Sequence, residues 1–414
     1  MHKPCWLLMI SSLSLLLCLA NLGPVDSQSR TDGEFENKLR LRLWINCTDR
    51  KYESTNLVHS QYWVMANYIR ANHGDLRCFS SVTYTTHADY RYLDNVVQLV
   101  DRWRSPISLA LYAPGLDFKP TVIGILWLRK CDPQRELIQQ WVSFHIYFNV
   151  DQIPSDIPRE RTLLQWQVNC KQPAPFLNVP KTKLYRWEKR LDYPVNVGRN
   201  IARNAALTHF VLASDIELYP SPGLSNGFLQ MLTRYPDLLK SRKKIVFPLN
   251  IFEVHKTIAV PNTKPKLQYL LAKGHAQSFH IRLCASCHNG PRLREWINAI
   301  DLSNTIKVFH VSKRSAQYNY WEPIYIGTNN DPLYDERFTW EGMWDKLTQA
   351  YALCVLDYEF HTLDNAFLVH KPGIKKSNRN YARLAKGLRS YQFIQREILL
   401  EFYEKYGRHE NCTI

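Results

Sequence analysis

Apolar runs and segments with helical spacing alternate along the middle of the chain. Apolar positions within Tyr90–Trp103 follow the spacing that is typical of a helix. The continuous apolar runs Ile107–Ala113 and Trp141–Phe148 predict buried strands. A second helical segment, from about Val195 to Leu207, leads into another apolar run that ends at Asp215. This order predicts an α/β fold with a mostly parallel central sheet and helices on both faces.

The first residues predict the cellular compartment. Lys3 precedes an apolar stretch, Cys5–Leu22, and the chain becomes polar at Asp26. Residues 1–27 therefore form either a signal peptide or a retained signal-anchor, and in both cases the remainder lies in the secretory lumen. Two sequons, at Asn46 and Asn411, agree with this prediction. Of the 10 cysteines two lie in this leader, and the other eight are expected to form disulfides whose pairing stays open.

Patterns outside the central segment predict the remaining organisation. Residues 28–78 are polar and weakly patterned, and we expect a luminal stem that leads into one folded domain, 79–414. Near the C-terminus, a helix around Met343–Cys354 precedes two short strands that end at His370. An amphipathic helix around Phe393–Phe402 completes the domain.

Composition narrows the class of partner. The 414-residue chain has 53 basic and 37 acidic residues, and its net charge of +16 favours anionic ligands. The sequence lacks zinc-finger spacing, RNP-like aromatic motifs and a basic helix, so no nucleic-acid partner is expected. A phosphate-bearing small molecule fits the scattered positive charge at least as well.

Two carboxylates directly follow the apolar run at 209–214. Asp215 and Glu217 are separated by one residue, so their side chains point to the same side of an extended chain. Open α/β sheets bind ligands at this carboxyl edge, and carboxylates bind divalent cations that carry phosphates. His370 is a third candidate ligand, because mixed nitrogen and oxygen ligation suits Mn²⁺. The alternative is a solvated strand end with a structural histidine.

The helix before Asp215 carries a polar stripe. Asn196, Arg199, Asn200 and Arg203 recur at i, i+3, i+4 and i+7, so they share one helix face. Two guanidiniums and two amides on one face are candidate ligands for the diphosphate of a nucleotide donor. The alternative is an ordinary solvated face.

A short charged turn supplies candidate catalytic groups. Asp335 or Glu336 is a candidate general base toward a hydroxyl, and Arg337 is a candidate partner for a substrate carboxylate. The alternative for this turn is an ion-paired helix start. Further along the chain, Lys371 is a candidate donor-binding residue that neutralises a leaving diphosphate.

Cys284, Cys287 and His288 match the spacing of a covalent haem attachment site. Two cysteines and a histidine are also a partial set of zinc ligands. Because no second cluster of cysteine and histidine accompanies them, a disulfide or loop packing is the expected role.

Several of these segments, taken in order, resemble glycosyltransferase family 49, the family of Golgi β-1,4-glucuronyltransferases and of the second catalytic domain of LARGE-type glycosyltransferases. The matching segments are 93–103 with 106–114, 144–148, 193–200, 214–221, 334–338 and 367–371. The resemblance covers roughly residues 83–373. Each segment is a weak signal by itself, and the ordered set is fairly specific.

The resemblance implies a GT-A fold, a UDP-glucuronate donor, Mn²⁺ and inversion at the anomeric carbon. It implies transfer of glucuronate to a xylose-type acceptor on an O-mannosyl glycan of a glycoprotein. The location implied is the Golgi lumen, as a type II membrane protein held through the N-terminal segment, or secretion if the leader is cleaved.

By the same likeness, Asp215, Glu217 and His370 hold the metal, and Ala113 and Pro114 border the uridine. The family commonly has Asp where this chain has Glu217, whose carboxylate lies one methylene further out.

Other functions stay open at this point. The same fold could use another UDP-sugar, because donor choice depends on a few contacts. A catalytically inactive glycan-binding protein is a second alternative, since a fold does not establish catalysis. The oligomeric state is open as well, with a homodimer among the alternatives.

Overall fold

The computed structural model describes residues 36–301, 303–338, 343–371, 373–374 and 381–414. The predicted leader, 1–27, lies outside the described residues. Within the described part, no helix is both long and apolar enough to cross a membrane.

Thirteen strands are found in the described residues. They are β1 (Thr55–His59), β2 (Tyr62–Ile69), β3 (Val82–Ala88), β4 (Ile107–Tyr112), β5 (Val142–Asn149), β6 (Phe210–Ala213), β7 (Leu218–Pro220), β8 (Ile245–Val254), β9 (Ala276–Ser278), β10 (Lys307–Ser312), β11 (Ile324–Thr328), β12 (Glu359–Asp364) and β13 (Phe367–His370).

The helices surround these strands. Those with defined bounds are α1 (Asn95–Trp103), α2 (Phe118–Lys130), α3 (Arg135–Trp141), α4 (Glu160–Gln165), α5 (Tyr185–Glu188), α6 (Val195–Ala205), α7 (Leu224–Arg234), α8 (Asp237–Lys240), α9 (Lys264–Ala272), α10 (Leu293–Asn298), α11 (Leu347–Val355), α12 (Tyr381–Phe393) and α13 (Leu399–Tyr406). A π-helical turn, Ile394–Ile398, joins α12 to α13, and helical residues 36–44 precede β1.

The centre of the sheet is parallel and its flanks are mixed. The order along the sheet is β1-β2-β5-β4-β3-β6-β11-β8-β12-β10. Strands β5, β4, β3 and β6 run parallel to one another, whereas β2 and β11 join them antiparallel. Beyond β11, strand β8 pairs in parallel with both β12 and β13. The predicted α/β fold with a mostly parallel central sheet is confirmed.

Alternation along β4 explains why helices cover both faces of the sheet. Leu109 and Leu111 point into the main core, which also contains apolar residues of α1 and α2. Ala110 and Tyr112 point to the opposite face, where they pack with Val195, Val197, Ile201 and Ala202 of α6. Successive strand residues alternate between faces, so a continuous apolar run requires cover on both sides.

The region predicted to be a stem contributes to the fold. Residues of β1 and β2 lie within 28–78 and form one edge of the sheet. Leu41 and Ile45 are 4% exposed and belong to the main core. The folded domain therefore begins well before residue 79. This correction has a physical reason: β1 is almost entirely exposed, so its sequence lacks the apolar alternation that identifies a strand.

All eight cysteines outside the leader form disulfides, as expected. The pairs are Cys47–Cys78, Cys131–Cys170, Cys284–Cys287 and Cys354–Cys412. The first ties the residues before β1 to those before β3, and the last ties the C-terminus to the end of α11. Both sequon asparagines, Asn46 and Asn411, are exposed.

Candidate active site

A cleft opens where the neighbouring parallel strands β3 and β6 end. Its lining comes from the residues that follow these strands and from the segment before α6: His87, Ala88, Asp89, Tyr92, Arg186, Tyr193, Asp215, Ile216 and Glu217. The Tyr84 hydroxyl donates to the backbone carbonyls of Asp215 and Leu218, at 2.9 and 2.7 Å, and so holds the turn between β6 and β7. The two predicted acids thus lie in one cleft at the carboxyl edge of the sheet.

Pairing between β7 and β13 brings His370 to Glu217. Strand β13 runs antiparallel to β7, with His370 opposite Leu218, the residue after Glu217. As a result, His370 Nε2 lies 3.6 Å from Glu217 Oε2. The His370 ring is almost fully buried, and its Nε2 has no hydrogen-bond partner.

The tautomer of His370 follows from its other ring nitrogen. Nδ1 lies 3.1 Å from the Gly373 carbonyl oxygen, which can only accept a hydrogen bond. Nδ1 is therefore the nitrogen that carries the proton in the neutral ring, and Nε2 faces Glu217 at 3.6 Å. Metal-binding histidines have the same kind of contact, in which a carbonyl or carboxylate fixes the second ring nitrogen.

Asp215 is held as an anion by three neighbouring groups. Its Oδ1 accepts a hydrogen bond of 2.8 Å from Arg199 Nη2 and lies 3.5 Å from His87 Nε2, while Oδ2 lies 3.7 Å from Lys346 Nζ. Burial by itself raises the pKa of Asp215, but the charges of Lys346 and Arg199 hold that pKa well below its ordinary value. Asp215 is consequently ionised at neutral pH.

Asp215 and Glu217, which line the cleft, and His370 beside Glu217 fit a divalent cation in their chemistry. Two carboxylates and an imidazole with a free lone pair are a suitable set for Mn²⁺. Glu217 and His370 already converge, whereas Oδ1 of Asp215 is engaged by Arg199. Across the described ranges, no three His, Cys, Asp or Glu side chains form a cluster that could hold a metal by themselves.

The polar stripe of α6 is buried and binds the segment 328–345. Asn196 Nδ2 donates to the carbonyls of Asp335 and Asp345, at 2.7 and 2.8 Å. Asn200 Nδ2 donates to the Tyr334 carbonyl at 2.8 Å. The stripe is neither a solvated helix face nor a lining of the cleft.

Arg203, at the end of the stripe, also donates hydrogen bonds to main-chain carbonyls. It donates to the carbonyls of Pro332, Thr328 and Asp331, at 2.9, 3.2 and 3.1 Å. Of the four stripe residues, Arg199 is the one that contacts a residue of the cleft, Asp215. A role of the other three in donor binding would therefore act through the segment that they hold.

The charged turn at 335–337 is internally paired. Arg337 donates to both carboxylate oxygens of Asp335, at 2.9 Å from Nε and 2.6 Å from Nη2, and also pairs with Glu401. Glu336 accepts from Asn200 Nδ2 at 2.8 Å and pairs with His59 Nε2 at 2.6 Å.

Glu336 also lines a separate cavity of about 230 Å³ between α6 and β1–β2. Neither carboxylate of this turn is among the residues that line the cleft.

The remaining predicted donor-binding residues are held by contacts outside the cleft lining. Ala113 and Pro114 are buried directly after β4, and the Ala113 amide donates to the Tyr147 carbonyl at 3.0 Å. Lys371 Nζ donates to the Ile258 carbonyl at 3.0 Å. None of the three is among the cleft-lining residues.

Sequence patterns missed a group of buried charges behind Asp215. Lys346 Nζ lies 3.5 Å from Asp345 Oδ1, and Asp345 Oδ2 accepts from Arg199 Nη1 at 2.6 Å. Burial, with the negative charge of Asp345, raises the pKa of nearby Glu322 to about 7, although Lys346 acts in the opposite direction. No strand end, repeat or spacing marks these residues in the sequence.

His288 lies beside the same group. The disulfide of Cys284 and Cys287 precedes it, so the expected disulfide role of this motif is confirmed. The His288 ring packs on Phe279, with ring centroids 4.8 Å apart, and Phe279 in turn contacts His370 at 5.3 Å. The disulfide loop therefore supports the apolar side of the His370 ring.

Comparison with known proteins identifies the class of enzyme. A family model described as "Glycosyl-transferase for dystroglycan" matches residues 81–407. The chain is 30% identical to zebrafish (Danio rerio) beta-1,4-glucuronyltransferase 1 over 78% of its own length and 73% of that protein. It is 25% identical to the human protein of the same name, over 79% of this chain and 76% of that one.

The LARGE enzymes are similar over a shorter span. Mouse (Mus musculus) xylosyl- and glucuronyltransferase LARGE2 is 29% identical over 57% of this chain and 33% of its own length. The protein is therefore a glycosyltransferase. Within that class, the chain belongs to the family of glycosyltransferases for dystroglycan, as the resemblance of its motifs predicted.

Proposed function

We propose that this enzyme transfers glucuronate from UDP-glucuronate to a xylose-type sugar of a glycoprotein O-glycan of the O-mannosyl type, with inversion and with Mn²⁺ as cofactor. The names of its relatives support glucuronyl transfer. One structural observation carries the proposal: β7 and β13 bring a buried imidazole nitrogen without a hydrogen-bond partner to 3.6 Å from Glu217, which lines the cleft together with Asp215.

Glu217, His370 and Asp215 are the residues that would hold Mn²⁺. When bound, this ion supplies Lewis acidity that stabilises the negative charge of the departing UDP. Arg199 and Lys346 keep Asp215 ionised, and the Gly373 carbonyl keeps the Nε2 lone pair of His370 available. The carboxyl edge of β3 and β6 is where open α/β sheets bind such ligands.

In the transfer step, the acceptor hydroxyl oxygen attacks the anomeric carbon while the bond to the UDP oxygen breaks. The hydroxyl proton passes to a carboxylate, and we retain Asp335 and Glu336 as the proposed bases. Both are hydrogen-bonded within the protein. Such contacts do not exclude a general base, because catalytic hydrogen bonds often form only in the substrate complex.

We further propose that Arg337 reads the glucuronate carboxylate and that Lys371 neutralises the diphosphate. Arg337 is 37% exposed at its side chain, so a ligand could compete with Asp335 for its guanidinium. Four disulfides and two exposed sequons support a site of action in the secretory lumen, which we propose to be the Golgi.

A second donor is favoured by one observation. The LARGE relatives carry both xylosyl- and glucuronyltransferase in their names, so UDP-xylose is the leading competitor to UDP-glucuronate. A panel of UDP-sugars, tested on xylosides and mannosides with Mn²⁺, distinguishes the two donors. Turnover with UDP-xylose alone would replace the proposed donor, whereas the proposed site would stand.

The site itself is tested by two buried histidines on β12 and β13, two consecutive strands that both pair with β8. His370→Gln should lower the transfer rate at least about a hundredfold, because a metal ligand is lost. His361→Gln is the matched control: His361 is also buried, but its carboxylate partner at 3.1 Å is Glu359, which does not line the cleft as Glu217 does. Equal activity of the two variants would contradict the proposed metal site.

A further inference from the structure

We propose that Asp345 is a positioning residue: it divides the guanidinium of Arg199 between two carboxylates, so that Asp215 keeps one oxygen outside the Arg199 pair for the donor complex. This inference deepens the proposed function and rests on it. It assigns a role to a residue that no sequence motif marks.

The geometry is that of one cation shared by two anions. Arg199 Nη1 donates to Asp345 Oδ2 at 2.6 Å, and Nη2 donates to Asp215 Oδ1 at 2.8 Å. The Arg199 side chain is 2% exposed and that of Asp345 is 1% exposed, whereas that of Asp215 is 26% exposed. Of the two anions, only Asp215 reaches the cleft.

The sharing of Arg199 between two carboxylates determines how many oxygens of Asp215 it hydrogen-bonds. An arginine and a single carboxylate tend to form a two-pronged pair that uses both carboxylate oxygens. Here Asp345 takes Nη1, so Arg199 contacts only Oδ1 of Asp215. Oδ2 receives no hydrogen bond from Arg199 and lies 3.7 Å from Lys346 Nζ, in a side chain that is 26% exposed.

Asp345 is itself fixed to the scaffold that carries Arg199. Its backbone carbonyl accepts a hydrogen bond of 2.8 Å from Asn196, one turn before Arg199 on α6. Asn196 Oδ1 also accepts from Arg199 Nη1 at 2.8 Å. The side chain and the backbone of Asp345 are therefore held by the same helix, which gives the arrangement a defined geometry.

The chain contains a matched control for the test. Lys264 and Asp364 form another fully buried ion pair, with Nζ 2.6 Å from Oδ1, and neither residue lines the cleft. Removing one charge from such a pair destabilises a protein wherever the pair lies. Asp345→Asn and Asp364→Asn should therefore both lower the unfolding temperature, and only the first should alter donor binding.

The experiment measures binding of UDP in the presence of Mn²⁺ by calorimetry, at a temperature at which each variant is folded. Asp345→Asn should weaken binding about tenfold or more, in the range typical of residues that orient metal ligands. Asp364→Asn should change it less than about twofold. Arg199→Lys is the second variant. It retains the charge but loses the guanidinium with its two Nη donors, and it should weaken binding similarly.

The outcomes separate this inference from the proposed function. If the wild-type protein binds no UDP with Mn²⁺, the proposed function fails. If the wild type binds and either Asp345→Asn or Arg199→Lys binds as well as Asp364→Asn does, the positioning role is overturned and the proposed function stands. Should Asp345→Asn not fold, Arg199→Lys decides the question.

Discussion

At the scale of single residues, chemistry in the cleft depends on which atoms remain unpaired. The Gly373 carbonyl occupies Nδ1 of His370, and this leaves Nε2 free. Arg199 hydrogen-bonds one oxygen of Asp215, and the other lies 3.7 Å from Lys346 Nζ. In both cases a contact with one atom of the side chain determines which other atom is left to bind a ligand. Substitutions behind the cleft should therefore affect function without touching a ligand.

Glu322 allows a prediction of pH dependence at this scale. Burial raises its pKa from the ordinary 4.5 to about 7, so the folded protein keeps a proton that the unfolded chain has lost. The unfolded state binds fewer protons between these values, and this group's contribution to stability falls as pH rises through that window. The free energy of unfolding of Glu322→Gln, relative to that of the wild type, should therefore rise by roughly 2–3 kcal/mol between pH 5 and pH 8.

Chemical denaturation at the two pH values measures this difference. Glu295→Gln is the control, because Glu295 is exposed and pairs with Arg292 at the surface. A stability difference between Glu322→Gln and the wild type that is the same at both pH values would contradict the prediction.

At the scale of elements, α6 organises the site by holding another segment. Its stripe residues donate to main-chain carbonyls of residues between Thr328 and Asp345, and the described residues between β11 and α11 contain no strand or helix. Carbonyls in such a segment need partners from elsewhere when they are buried. The helix supplies these partners, and it thereby places Asp345 behind Asp215.

Arg203 should provide much of the stabilisation that these hydrogen bonds give. Arg203→Met retains the apolar stem but leaves the carbonyls of Thr328, Asp331 and Pro332 without their donor. The expected loss of unfolding free energy is about 2–4 kcal/mol, since hydrogen bonds to charged groups are stronger than the average. Urea denaturation measures this loss.

Exposed Arg104 provides the comparison for that variant. It pairs with Asp101 on the surface, and Arg104→Met should cost less than about 1 kcal/mol. Equal unfolding midpoints for the two variants would show that the stripe does not hold the 328–345 segment.

At the scale of the whole molecule, neutral histidines in the interior make the free energy of unfolding depend on pH in the acidic range. His145 is fully buried on β5 and bonds to the Asn67 amide and to Ser108, at 2.7 Å each. Burial lowers the pKa of His145 to about 3, and that of His73 to about 4. Above these pKa values the rings stay neutral in the folded protein, and between pH 4 and pH 6.5 they become charged on unfolding.

The histidines change stability with pH in the direction opposite to that of Glu322. Below pH 6.5 the unfolded chain takes up protons that the folded His145 and His73 do not, so stability decreases as pH falls toward 4. Each ring contributes about 1.4 kcal/mol per pH unit in that range. His145→Gln should reduce the slope of unfolding free energy against pH by that amount, as measured by denaturation between pH 4.5 and pH 6.5. A variant with the wild-type slope would contradict this.

Much of the fold could be predicted from local pattern. The helix expected from Val195 to Leu207 is α6, Val195–Ala205, and the apolar runs near 107 and 141 are β4 and β5. These elements are buried on both faces or on one clear face, so their periodicity is strong. Strand β1 was missed because it is an exposed edge without such a pattern.

For the site, the sequence by itself determined the candidate ligands. Asp215 and Glu217 follow a strand and His370 ends one, and these positions are visible in the order of residues because local geometry depends on neighbours in the chain.

Only the tertiary structure decided what these residues contact. The β7–β13 register set His370 beside Glu217, and α6 joined Asp345 to Asp215 through Arg199. Strand register and buried charge pairing connect residues far apart in the chain. They are determined by the packing of the whole domain, which no local pattern records.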